Sequence, residues 1–280
     1  MKLFFARLLF LLITLFSLQG CMRKLIDNIT FQVKSSNDIS SLNVLQYREI
    51  LLNQKGREVR AWFAETKNNA NSHTVVILFN GIGGHITDWV YFQKCLADSG
   101  IASVSFDYGP QSDTLKKKGA SRLSDVTKDI NTIIDILKKE YGYNLNLFLL
   151  GHSVGNAVML EMYSHIDTSF LKGVIICNAF ASLKKWNIQH RYLPKAFAFI
   201  FPDYFNNVTN IQKVYKPVLF THSKSDSVNL FSDGVKVFKS ANSNKQFVGF
   251  DNFGHNDIDK KDNYIYRLPI INFIKKQSDK

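Results

Sequence analysis

The chain is predicted to be an α/β protein, with a mostly parallel central sheet, helices on both faces and a short cap insertion. Three observations predict it. Short apolar runs alternate with stretches of helical period. The later runs are apolar almost throughout, as strands covered on both faces must be. One run ends abruptly in GHSVG, where a strand would turn straight into a helix.

The elements follow in order. Residues 45–51 (LQYREIL) and 58–64 (EVRAWFA) mix polar and apolar positions, which suggests an antiparallel edge. The runs 74–79 (TVVILF), 101–106 (IASVSF), 146–151 (NLFLLG), 172–178 (KGVIICN), 216–221 (KPVLFT) and 246–250 (QFVGF) read as further strands. Helix-like stretches at 86–99, 122–141, 154–166, 228–240 and 263–276 lie between and after them. In 122–141, Val126, Ile130, Ile133, Ile134 and Leu137 recur at helical spacing. Pro269 interrupts the last stretch, so that helix is expected to kink or start late.

The amino-terminal end has a different character. Lys2 and Arg7 precede an apolar core from Leu8 to Leu18, too short to cross a bilayer as a helix. This suits a secretory signal at 1–20. Leu18-Gln19-Gly20-Cys21 resembles a bacterial lipobox, which implies cleavage before Cys21 and lipid on its sulfur. An uncleaved anchor or an ordinary signal peptide is the alternative. Residues 21–44 then read as an irregular tether, with SSNDISS as a loop, and 45–280 as the folded domain. Met22 after the cysteine hints at sorting to an outer membrane facing the periplasm, by analogy with such lipoproteins.

Composition narrows the class. The 280 residues are 45% hydrophobic with 23 Phe and only 5 Pro, which excludes a disordered chain. The formal charge of +12 comes from scattered lysines and short clusters such as Lys116-Lys117-Lys118, with no nucleic-acid motif beside them. Cys95 and Cys177 read as small buried hydrophobes. No Cys/His spacing resembles a metal site, and no cofactor is expected.

Ser153 in Gly151-His152-Ser153-Val154-Gly155 explains the abrupt turn. A strand, a sharp turn and a helix around G-x-S-x-G lift a serine hydroxyl above the sheet, and its neighbours must be small because two backbones approach closely. The next amide, of Val154, opens the helix and can donate to a developing oxyanion. A serine needs a base, and the base an orienting acid. Asp226 lies in the loop after KPVLFT, and His255 in the loop after QFVGF, both at the carboxyl edge that carries the serine. Asp107 and Asp251 compete for the acid's place. Asp107 reads better as a loop brace, and Asp251 as a residue further along the rim. His152 is expected in the site wall, and His222 stands too early in its loop to replace His255. His73, His85, His165 and His190 read as surface or packing residues.

The ordered set NGIGG, DYGPQS, GHSVG, HSKSD and FGHND, over about residues 74–260, resembles the α/β-hydrolase superfamily. Within it, GHND and the segment leading to HSKSD are similar to acyl-protein thioesterases (depalmitoylases) and to the monoacylglycerol-lipase and serine-aminopeptidase-like group. The resemblance implies an α/β-hydrolase fold and cleavage of acyl esters or thioesters through an acyl-enzyme, without a cofactor. The second oxyanion donor is assigned to the amide of Ile82 in Asn80-Gly81-Ile82-Gly83-Gly84, with a shift by one residue left open. Asn80 stands where the superfamily usually has His, and Gln111 where a Gly often occurs. Segment 181–212, where such enzymes carry a cap, holds Trp186, Tyr192, Phe197, Phe199, Phe201, Tyr204 and Phe205. These aromatics suit an acyl chain, or else simply pack on the core. A peptidase or amidase on the same three residues, and a non-catalytic lipoprotein used as a binding module, are the competing readings. Expected partners are therefore an acyl substrate and a membrane reached through lipid on Cys21, with no nucleic acid.

Overall fold

The apolar runs become the middle of one sheet. The structure, a computed structural model, describes residues 17–32, 44–54, 57–66, 73–109, 121–260 and 262–280. Residues 17–30 are helical (α1). The strands are β1 (Tyr47–Gln54), β2 (Arg57–Ala64), β3 (Thr74–Phe79), β4 (Ala102–Phe106), β5 (Asn146–His152), β6 (Leu171–Cys177), β7 (Val218–Ser223) and β8 (Lys245–Phe250). The other helices are α2 (Val90–Asp98), α3 (Leu123–Tyr141), α4 (Val154–Met162), α5 (Leu183–Gln189), α6 (Asn207–Asn210), α7 (Phe231–Ser240) and α8 (Tyr264–Ser278).

Among the described residues the sheet runs β1-β2-β4-β3-β5-β6-β7-β8. β1 and β2 pair antiparallel, as do β2 and β4, and the remaining pairs are parallel. This is the expected α/β-hydrolase architecture. β3 is buried at every position, whereas β1 is largely exposed, which is why one reads as a solid apolar run and the other as a mixture. β3 lies between β4 and β5, so the chain leaves β3 to one side and returns on the other. The loops after β3 and β5 diverge there and open the crevice in which such sheets bind ligands.

Helices cover both faces. α3 buries Val126, Ile130, Ile133, Ile134 and Leu137 in one core cluster, together with the apolar face of α4 and Val237 of α7. α2 and α8 supply the cluster on the opposite face. α8 runs through Pro269 rather than starting after it. Tyr266, Ile270, Ile271 and Ile274 are buried around the proline, and that packing outweighs its cost of about 3 kcal/mol. α7 begins at Phe231, later than the expected 228, because Val228 and Asn229 donate their amides to the Asp226 carboxylate and are held in a turn.

The irregular tether expected at residues 21–44 is corrected at its start, where residues 21–30 belong to α1. Ile26 and Phe31 of the α1 segment are buried in the main core, and Phe31 meets Tyr108 and Phe205 edge-on. Tyr204 donates to Asp27 at 2.6 Å, and Arg23 lies over the Tyr204 ring. Tertiary contacts of this kind support a helix whose local sequence is unremarkable. SSNDISS, Gln111, the Lys116–Lys118 cluster and most of the expected signal lie outside the described residues. Among the described residues, no helix is long and apolar enough to cross a membrane. Cys21, Cys95 and Cys177 are all free.

The cap follows β6. It contains α5, a short turn at Lys195–Phe197 and α6, and a single bridge between Ser182 and Asn206 closes its neck. Its aromatics divide. Phe201, Tyr204 and Phe205 are buried, whereas Tyr192, Phe197 and Phe199 are mostly exposed.

Candidate active site

Ser153 is the pivot between β5 and α4, with φ 54° and ψ −120°. A non-glycine residue holds this left-handed conformation only when its surroundings enforce it. The Ser153 amide donates to the Cys177 carbonyl at 3.0 Å, and its own carbonyl accepts from the Asn156 amide and side chain. The flanking glycines are sterically required. A Cβ on Gly155 would stand 2.1 Å from the Phe79 carbonyl oxygen, and one on Gly151 would stand 2.7 Å from the Asn156 backbone.

The loops after β7 and β8 deliver Asp226 and His255 to this serine. His255 Nε2 lies 2.9 Å from Ser153 Oγ, and its Nδ1 lies 2.8 Å from Asp226 Oδ2. With Nδ1–H donating to the carboxylate, Nε2 is free to accept the serine proton. Asp226 Oδ1 accepts the amides of Val228 and Asn229, each at 2.8 Å. Burial pushes the Asp226 pKa upward, but the bond from His255, those amides and the imidazole charge together hold it below the usual carboxylate value.

A polar brace surrounds the three. Asn178, directly after β6, donates to the His255 carbonyl at 2.9 Å and accepts from Ser223 and Tyr266. Asn178 also takes a positive φ of 50°. Asn229 donates to the Asn178 carbonyl at 2.8 Å and points its amide at Ser153 Oγ at 3.4 Å. His152 donates from Nε2 to the His255 carbonyl at 2.7 Å. Burial lowers the His152 pKa to about 3, so this ring stays neutral beside His255. His222 is buried and donates to the Asn229 carbonyl, with burial lowering its pKa as well. Sequence reasoning did not find Asn178 or Asn229. The available signal was position alone: each is a polar residue at the carboxyl edge of the sheet, and Asn tolerates left-handed backbone.

The competing acids lie elsewhere. Asp251 is exposed and pairs with Lys224 at 2.7 Å. Asp107 accepts the Ile86 amide at 3.0 Å and lies 3.8 Å from Arg60, which makes it the brace of the loop that follows Gly84. Burial raises its pKa to about 7.

The Asn80–Gly84 loop sits over the serine. A Cβ on Gly81 would lie 3.8 Å from Ser153 Cβ. Asn80 fixes the start of the loop. Its side chain donates to the Phe106 carbonyl at 2.9 Å and accepts from Trp89 Nε1, and its carbonyl accepts from Tyr108. Gly83 turns the tip with φ 63°, and Gly84 closes it by donating to the Gly81 carbonyl. Val154 opens α4, where first-turn amides have no partner within the helix. Val154 follows Ser153 directly at the start of α4, and Ile82 lies in the loop whose Gly81 stands against Ser153.

Two cavities share Ile82 of this loop in their linings. An apolar one of about 300 Å³ is lined by Ile82, Val154, Phe180, Trp186 and Phe201, with residues of α1 completing it. A more open and more polar one of about 610 Å³ is lined by Ile82, Asn80, Asp88, His152 and Asp259. Of the cap aromatics, Trp186, Tyr192, Phe201 and Phe205 reach the apolar cavity, whereas Phe199 is 67% exposed and lies outside that lining. Cys21 is exposed on α1, one residue before the lining begins at Met22.

Comparison with known proteins agrees with this fold. The profile of the family described as serine aminopeptidase, S33 matches residues 70–209, half of the chain. Lysophosphatidylserine lipase ABHD12 of Danio rerio is 26% identical over 239 residues, 76% of this chain and 60% of that protein. The fold superposes on Est1E from Butyrivibrio proteoclasticus with a TM-score of 0.63 at 17% identity, over 83% of this chain and 99% of the other. A soluble variant of monoglyceride lipase from Saccharomyces cerevisiae gives 0.62 at 18% identity, over 84% and 94%. The chain therefore belongs to the serine aminopeptidase S33 family and is a serine hydrolase with the esterase- and lipase-like α/β-hydrolase fold.

Proposed function

We propose that this protein hydrolyses acyl esters or thioesters through an acyl-enzyme, with Ser153 as nucleophile, His255 as base and acid, and Asp226 as the group that orients His255. One observation carries the reading: the hydrogen-bonded line Ser153–His255–Asp226 ends beside an apolar cavity whose lining includes Ile82 and Val154. His255 Nε2 takes the serine proton as Oγ attacks the acyl carbon. The amides of Ile82 and Val154 stabilise the oxyanion, and α4 adds its positive end. Collapse breaks the bond to the leaving alcohol or thiol, which receives the proton from His255. Water, deprotonated by the same ring, then attacks the acyl-enzyme. The acid returns to solution and the serine is restored. The named activities of the two lipase relatives, both acyl-ester chemistry, support this substrate class.

A peptidase reading draws support from the family's description. Labelling of the purified chain by a fluorophosphonate, followed by p-nitrophenyl esters of rising acyl length and aminoacyl amides, separates the possibilities. Labelling at Ser153 with turnover that rises with acyl length supports the proposal. Preference for aminoacyl amides favours the peptidase, and absence of labelling leaves a binding module.

The cell envelope is proposed as its location, with Cys21 lipidated after removal of residues 1–20 and the domain held at a bacterial outer membrane facing the periplasm. The lipobox-like LQGC and the exposure of Cys21 support this. Mass spectrometry of the amino-terminal peptide should find a diacylglyceryl group on Cys21. An unmodified Cys21 still preceded by residues 1–20 overturns it.

A further inference from the structure

We infer that α1 is the outer wall of the acyl site and that Leu25 and Ile29 set the length of acyl chain it accepts. This rests on the acyl-hydrolase reading and adds to it a specificity element from outside the cap.

Met22, Leu25, Ile26 and Ile29 all line the apolar cavity of about 300 Å³. Their spacing of three, four and seven places them on one face of a helix. The same cavity is lined by Val154, next to the nucleophile, and by Ile82 of the loop above it. An acyl carbon held at Ser153 is therefore continuous with this space. The cap contributes Trp186 and Phe201 to the same lining.

The helix is fixed in place rather than resting loosely on the surface. Ile26 is 8% exposed and Phe31 1%, and Asp27 is bonded to Tyr204 of the cap. Leu25 and Ile29, by contrast, remain 53% and 51% exposed although they line the cavity. Two large aliphatic groups left half in water on a cavity that Val154 also lines are apolar surface that an acyl chain covers on binding. The cavity sits at the small end of the usual range for ligand sites, roughly 300–1,000 Å³. It therefore matches one medium-length chain rather than a bulky acyl group. Because Cys21 directly precedes Met22, lipid on that cysteine would hold the rim of the cavity at the membrane surface.

The test compares Leu25→Trp and Ile29→Trp, which fill the cavity, with Leu25→Ala and Ile29→Ala, which enlarge it. Lys24→Trp, at an exposed position of α1 outside the lining, is the control. The full chain is assayed on p-nitrophenyl acetate, butyrate, octanoate and dodecanoate, and fluorophosphonate labelling of each variant shows that the nucleophile is intact. Each methylene buried is worth about fourfold in specificity. The tryptophan variants should lose at least about tenfold in the octanoate-to-acetate ratio of kcat/KM, about two methylenes' worth. The alanine variants should move the optimum to a longer ester, and the control should follow the parent. Tryptophan variants that reproduce a rising parent profile overturn the wall. A parent profile that does not rise with chain length overturns the acyl reading and the wall together, and the parent curve alone distinguishes that failure from the first.

Discussion

His255 Nδ1 stands 2.8 Å from Asp226 Oδ2, and the other oxygen of that carboxylate is held by the amides of Val228 and Asn229. The carboxylate is thus fixed before it meets the ring. Asp226→Asn keeps an acceptor for both amides but faces Nδ1–H with a donor or a weaker acceptor. It should fold normally and lose roughly 10⁴-fold in kcat, as should Ser153→Ala and His255→Ala. Ester turnover together with urea unfolding checks this. Full activity in Ser153→Ala would point to another nucleophile.

Asn80 makes two side-chain hydrogen bonds where the resemblance leads one to expect histidine. Asn80→Leu leaves the buried Trp89 N–H without its acceptor and frees the start of the Asn80–Gly84 loop. Stability should fall by about 1–3 kcal/mol. Turnover should fall by about 100-fold, the usual effect of small misplacements around a reacting centre. An unchanged kcat with lowered stability would show that Asn80 serves folding alone.

The pH dependence of stability should carry opposite signs at two aspartates. Asp107 titrates near 3.8 in the unfolded chain and about 7 in the native one, where burial favours the neutral acid. Between those values the native state holds a proton that the unfolded state has lost. Its contribution is therefore complete below about pH 4 and disappears as pH rises through about 7, at up to about 1.4 kcal/mol per pH unit. Asp226 has a lowered native pKa, so its contribution is present above the usual carboxylate value and is lost as pH falls through the native one. Asp107→Asn should remove its own share of the first slope, while Asp129 and Asp259, raised by burial to about 6 and about 8, keep theirs. Urea unfolding at about pH 4.5 and 8 tests it, and parallel curves for parent and variant would refute it.

Phe201 and Phe199 differ in where they point. Phe201 is 7% exposed and lines the apolar cavity, whereas Phe199 does not. Phe201→Ala should lower the octanoate-to-acetate ratio of kcat/KM by about tenfold and cost about 3 kcal/mol of stability. Phe199→Ala should stay within about twofold of the parent. Equal effects from the two would remove the cavity from the acyl reading.

The strands and the glycine-flanked serine were legible because their causes are local. A strand buried on both faces must be apolar throughout, and a position whose Cβ would stand 2.1 Å from a neighbouring carbonyl oxygen, as at Gly155, must be glycine. The order of Ser153, Asp226 and His255 was legible because each follows an apolar run at the same edge of a parallel sheet. Their contact was not, since Ser153 and His255 are 102 positions apart and only the packing of β5 through β8 brings them to 2.9 Å. Asn178 and Asn229 escaped notice for the same reason: Asn178 donates to the His255 carbonyl and Asn229 to the Asn178 carbonyl, contacts across 77 and 51 positions that exist only in the folded chain.

The ends of the elements and the amino-terminal segment depended on tertiary structure. Pro269 reads as a helix breaker until Ile270, Ile271 and Ile274 are seen buried beside it. Residues 22–30 look like a tether because their helix-forming signal is weak. Ile26, Asp27 and Phe31 find their partners in distant segments, Asp27 with Tyr204 and Phe31 with Tyr108 and Phe205. Periodicity and backbone sterics act within a few residues and so can be read from the chain. The shape of the apolar cavity depends on side chains from α1, the loop after β3, α4 and the cap, and distances between segments so far apart are determined only by packing.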